Sequence, residues 1–104
     1  MYITVTKLAN GSVAVSLEQP DDCGRFQVEG HGVTTAEIGE ALHGVNGGSV
    51  NGDHAWIEPD YVRSRATGRV GHDWNNRFAG MLAYATKQEW LDAQGRVRAH
   101  CELM

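Results

Sequence analysis

Apolar and polar residues alternate near both ends of the chain, whereas apolar residues recur every three to four positions in its middle. Ile3 and Val5 alternate with Thr4 and Thr6, and after Asn10-Gly11 the same period resumes at Val13, Val15 and Leu17. A period of two marks half-buried strands, and Asn-Gly supplies the positive φ angles of a tight turn, so the segment predicts a β-hairpin. Pro20-Asp21-Asp22-Cys23-Gly24 interrupts the pattern, and Arg25 to Glu29, with Phe26 and Val28 on one face, predicts a third antiparallel strand.

A helix is expected from Thr35 to His43, because Thr34 and Glu37 stand at capping-box spacing and Ile38, Leu42 and Val45 share a face. Residues 43–53 hold four glycines and two asparagines, which predicts a flexible loop. His54 to Ile57 reads as a short buried strand. Pro59 opens a helical turn through Ala66, with Gly68 beyond its end. The strongest signal follows: Trp74, Phe78, Met81, Leu82 and Ala85 form one apolar face of a long helix over 74–88, with Asp73 in the N-cap position. After a turn at Asp92–Gly95, Val97, Ala99, Cys101 and Leu103 alternate with Arg98, His100 and Glu102 in a last strand. The expected fold is a single α+β domain over residues 1–104, with a mostly antiparallel sheet of about five strands and one long and one short helix packed on one face.

Length and composition agree with one globular core, since 104 residues suffice to bury most of a chain's unfolded surface without staples. No apolar run reaches the roughly 18 residues of a membrane helix, and the alternating first residues read as the start of the fold rather than a targeting segment. Cys23 and Cys101 belong to no paired motif, so a reduced, cytoplasmic protein is the simplest expectation, and the sequence leaves their pairing open. Seven arginines against two lysines hint at a GC-rich bacterial source.

Charge changes the picture more. The net value is −4, but residues 1–60 hold nine acids and two bases (−7), and residues 61–104 hold seven bases and four acids (+3). The overall sign argues against nucleic acid as a partner, because binding there depends on neutralising phosphates. The polarity suits ion pairing within the fold, pairing between copies, or capture of a small anion.

Basic charge concentrates in the segment RSRATGRVGHDWNNRF, where Arg63, Arg65, Arg69 and Arg77 flank the start of the long helix. Helix N-termini and arginines both attract anions, while arginines on a short helix and a loop ordinarily point into water. His72-Asp73 invites a general-base role, but a helix cap already accounts for Asp73. Gly30-His31-Gly32-Val33-Thr34-Thr35 has the order of a phosphate-binding loop, yet Thr35 replaces the third small residue, and Glu29, Glu37 and Glu40 surround it. The five histidines and two cysteines form no local chelating pair, so no metal is expected.

Two functions of different class fit these residues. One is a small binding or accessory domain, self-associating as a homodimer, that holds a small anionic or aromatic ligand between sheet and long helix. Trp56, Tyr61, Arg69, Trp74, Arg77 and Phe78 are its expected contacts. The other is a small cofactor-independent acid/base enzyme using His54 or His72 with Asp53 or Asp60 in the same aromatic pocket. Neither requires a cofactor or a membrane.

Overall fold

In the computed structural model, which describes residues 1–104, the elements run β1 (Tyr2–Lys7), β2 (Val13–Glu18), β3 (Gln27–His31), α1 (Thr35–Gly44), β4 (Gly48–Asn51), β5 (His54–Ile57), α2 (Pro59–Ala66), α3 (Trp74–Lys87) and β6 (Val97–Leu103). The six strands form one mixed sheet in the order β2-β1-β3-β6-β5-β4. β1/β2, β4/β5 and β5/β6 are antiparallel, whereas β3 runs parallel to both β1 and β6. The α+β class stands, with one strand and one helix more than the periodicity indicates.

The third strand is the main correction to the pairing. It begins at Gln27 rather than Arg25, and it lies beside β1, with Tyr2 opposite Gln27, not in an antiparallel pair. The hairpin leaves β2 at the sheet edge, so residues 19–26 must cross the start of β1 to reach its free side. Alternation reveals that a segment is half-buried; it carries no information about which neighbour it pairs with.

The expected loop over 43–53 is a second correction, since it contains β4. Asn51 pairs with His54 around Gly52-Asp53, and Gly52 takes a φ of +67° at the first central position, as in a type II′ turn. α1 forms as its capping box directs: Thr34 Oγ1 accepts from the Glu37 amide, and a Glu37 carboxylate oxygen accepts from the Thr34 amide. It ends in a Schellman motif, with Asn46 at φ +57°, the Asn46 amide on the His43 carbonyl and the Gly47 amide on the Leu42 carbonyl.

In-register rows divide the sheet into two faces. Ile3, Leu17 and Val28 line the inner row with Cys101, and Ala55/Ala99 and Ile57/Val97 continue that face. Ile38 and Leu42 of α1, Tyr61, Val62 and Ala66 of α2, and Trp74 and Phe78 of α3 complete the core above it. α1 lies against both edge strands, β2 and β4, so the twisted sheet curls around it and both edges flank that helix. The opposite face carries Tyr2, Gln27, His54 and His100 in one row and Thr4, Glu29 and Glu102 in the next.

Two glycines test this packing in opposite directions. A Cβ on Gly48, whose φ is +146°, would stand 1.9 Å from the Trp56 carbonyl oxygen, whereas one on Gly39 would meet Val50 Cβ at an ordinary 3.6 Å. Gly48→Ala is therefore expected to destabilise the protein by about 2–4 kcal/mol. Gly39→Ala is expected to raise stability by about 0.5–1 kcal/mol, both read from urea unfolding midpoints.

Candidate ligand site

The segment that crosses β1 is tied to α3. Buried Trp74 donates its indole N–H to the Pro20 carbonyl at 2.6 Å, and Arg77, one turn on, donates to the Asp21 carbonyl at 2.7 Å. Beyond these two contacts the crossing segment and the helix diverge. Between them lies a hollow of about 390 Å³, bounded by Cys23, Gly24, Arg25 and Phe26 on one side and by Gly80, Met81, Tyr84 and Ala85 on the other. Trp90, Val97 and Arg98 close its third side.

That third side exists because β6 outruns β3. Their pairing begins at Gln27 opposite His100, so Val97 and Arg98 find their partners elsewhere. Leu91 bridges Val97, and the Arg98 amide donates to the Trp90 carbonyl at 2.8 Å. Trp90 reaches this place through a Schellman motif at the end of α3: the Trp90 amide bonds the Ala85 carbonyl, the Glu89 amide bonds the Thr86 carbonyl, and Glu89 takes a φ of +62°. Asp92 holds the following turn with a 2.7 Å bond from Arg96 Nε. Trp90 then meets Tyr84 edge to face, with ring centroids 5.7 Å apart.

The hollow is apolar within, and Arg25 and Arg98 are among the residues that border it. Arg98 stands directly opposite Trp56 in the β5/β6 pair, so its side chain belongs with that of Trp56 to the far face of the sheet. Neither guanidinium has a partner among the ion pairs and side-chain hydrogen bonds of the chain, and no carboxylate lines the hollow, although acids outnumber lysine and arginine 13 to 9. Burial pushes the Cys23 thiol above its ordinary pKa, with nearby Arg77 opposing it. The thiol is thus a protonated, weakly polar part of the wall at neutral pH.

None of the six residues that the sequence nominates as ligand contacts borders this space. Trp74, Phe78 and Tyr61 are 2%, 1% and 5% exposed and belong to the core, Trp74 and Phe78 stacked at 4.8 Å. Trp56 lies on the other face of the sheet, level with Arg98. Arg69 donates to the Arg65 carbonyl, and Arg77 holds the crossing segment and faces the Asp21 and Asp73 carboxylates. Arg63 and Arg65 lie over the rings of Phe78 and Tyr61. The basic segment is thus a structural joint. Asp73 precedes α3 but makes no capping bond with its side chain, which turns to Arg77 instead.

The acid/base candidates remain scattered. The Asp53 carboxylate lies 2.8 Å from His54 Nδ1, and the His54 ring meets His100 edge to face, but this pair sits at a hairpin turn on the uncovered sheet face, with Asp53 73% exposed. His72 is exposed in the turn before α3. Asp60 pairs with Arg63 and borders a second, wholly polar hollow of about 350 Å³ with His43, Asn46, Gly48, Glu58 and Arg96. Cys23 and Cys101 are free thiols, and no three His, Cys, Asp or Glu side chains gather to hold a metal ion. No helix is long and apolar enough to cross a membrane. The chain matches no protein-family model, no curated protein and no solved structure.

Sequence patterning locates the helical wall, because Met81 and Ala85 continue the face of Trp74 and Phe78. It leaves the partners of that wall unassigned, since Arg25, Phe26 and Trp90 converge only through non-local pairing.

Two measurements check the geometry. Trp74→Phe keeps an aromatic ring and removes the indole donor, leaving the buried Pro20 carbonyl without its partner. A loss of about 1–3 kcal/mol in urea unfolding is expected. Burial raises the Cys101 thiol pKa to about 11 from 9.0, so the unfolded chain gives up this proton first. Stability is expected to fall as pH rises from about 9 to about 11, and Cys101→Ala should flatten that part of the profile.

Proposed function

We propose that this protein is a small binding domain that holds a compact ligand, apolar and aromatic in body and anionic at one end, in the hollow between α3 and the crossing segment. One observation carries this reading: in an acidic chain, the apolar hollow is bordered by Arg25, whose guanidinium has no internal partner, and by no carboxylate. Its volume of about 390 Å³ lies toward the lower end of small-molecule sites, which span roughly 300–1,000 Å³. Phe26, Met81, Tyr84 and Trp90 supply the apolar contacts, and Tyr84, 57% exposed, stands where a ligand would cover it. Arg25 supplies planar donors for the anion.

Binding of this kind needs no general base, and the His54–Asp53 pair lies outside the hollow.

Anilinonaphthalene sulfonate, an aromatic anion, is a direct probe. Titrated into the folded protein, it is expected to shift the NMR signals of the Trp90 indole and the Gly80 and Tyr84 amides saturably. The Arg25→Gln variant should bind it at least about tenfold more weakly, as loss of a charge-assisted hydrogen bond implies. Unchanged affinity in that variant, or shifts confined to other residues, would overturn the proposal.

A further inference from the structure

The histidines form no chelating pair along the chain, but the β5/β6 register sets His54 directly opposite His100 on the uncovered face of the sheet. The Cys101 amide donates to the Asp53 carbonyl at 2.8 Å, so Asp53 and Cys101 form a hydrogen-bonded level of this antiparallel ladder. Bonded and non-bonded levels alternate. His54 and His100 are therefore a non-bonded pair, the kind whose Cα atoms approach to about 4.5 Å and whose side chains lie nearest each other. Their rings accordingly meet, with centroids 5.9 Å apart.

Imidazole suits Zn²⁺, Cu²⁺ and Ni²⁺, and it coordinates through the nitrogen that carries no proton. The Asp53 carboxylate, 2.8 Å from His54 Nδ1, holds the ring proton on that nitrogen and leaves the Nε2 lone pair free. Neither His54 Nε2 nor either nitrogen of His100 makes an ion pair or hydrogen bond within the chain. A carboxylate behind the imidazole is also the usual outer partner of a metal-bound histidine, because it orients the ring and makes it a stronger base. With Zn–N bonds of about 2.0–2.1 Å, two rings on one tetrahedral ion have centroids roughly 5 Å apart. The observed 5.9 Å exceeds this by about 1 Å, a difference that χ rotations of two solvent-accessible side chains remove. Glu29 and Glu102 stand one row along this face and Arg98 one row the other way, so with Asp53 the surrounding charge favours a cation.

We propose that His54 and His100 bind one divalent transition cation of the Zn²⁺ class, with Asp53 as the positioning residue behind His54. No third protein side chain joins them, so water completes the coordination. The site is independent of the hollow, which none of these three residues borders.

Titration of the reduced, metal-stripped protein with Zn²⁺ at neutral pH, followed by calorimetry and by the imidazole Hε1 signals in NMR, tests the site. One equivalent is expected to bind, shifting the His54 and His100 signals together and leaving His31, His43 and His72 in place. His54→Gln and His100→Gln should each weaken binding at least tenfold, since one imidazole does not chelate, and His72→Gln should change nothing. Asp53→Asn should weaken it about tenfold, as loss of an outer-shell carboxylate does. Zn²⁺ should also raise the Tm of the wild type, and His100→Gln should abolish that rise. Unchanged affinity in either His→Gln variant, or first-equivalent shifts at other histidines or at the two thiols, would overturn the site. Undiminished affinity in Asp53→Asn would overturn the role of that carboxylate.

Discussion

The hydrogen bond from the Trp74 indole to the Pro20 carbonyl joins residues 54 positions apart, and the arrangement around the hollow depends on it. The segment over 19–26 must cross the start of β1 to place β3 on that strand's free side, and such a crossing exposes backbone groups that need partners. Trp74 and Arg77 supply them, at Pro20 and Asp21. With the segment held at the beginning of α3, its remaining residues diverge from the helix, and the space between is the hollow. Core packing and site geometry thus share one anchor: the ring that stacks on Phe78 inside the core also positions Cys23 to Phe26 outside it.

The basic segment acquires its meaning from this anchor. Its arginines look like an anion trap in one dimension. In three, Arg63 and Arg65 cover aromatic rings, Arg69 bonds a helix carbonyl, and Arg77 holds the crossing segment. The arginines left without internal partners at the hollow, Arg25 and Arg98, are isolated ones from opposite halves of the chain. Clustered charges at an element junction thus find backbone and ring partners close by.

Much of the fold was legible. The hairpin, α1 with its capping box, the Pro59 helix, the long helix and the last strand all lie within a residue or two of where period and cap signals place them. Each rests on interactions between residues close in sequence, which local pattern encodes. β4 was hidden because glycine and asparagine, read as loop composition, also build a hairpin whose close approach at Gly48 excludes a side chain. The candidate site was less legible. An apolar face on the long helix and an aromatic-rich second half pointed to a space beside that helix, but the expected lining of Trp56, Tyr61, Trp74 and Phe78 is divided between the core and the far face of the sheet.

By itself, then, the sequence determined most of the strands and helices, β4 excepted, which faces of them are apolar, and that the charge is divided between the halves, because each of these follows from side-chain period and composition along the chain. Tertiary structure alone decided that β3 runs parallel beside β1, that β6 outruns β3, and that Arg25, Phe26, Gly80, Trp90 and Arg98 meet around one hollow. Strand partnership and the path of a crossing segment are chosen by burial of the whole inner face and by distant donors such as Trp74. A pattern confined to neighbouring residues carries no record of either.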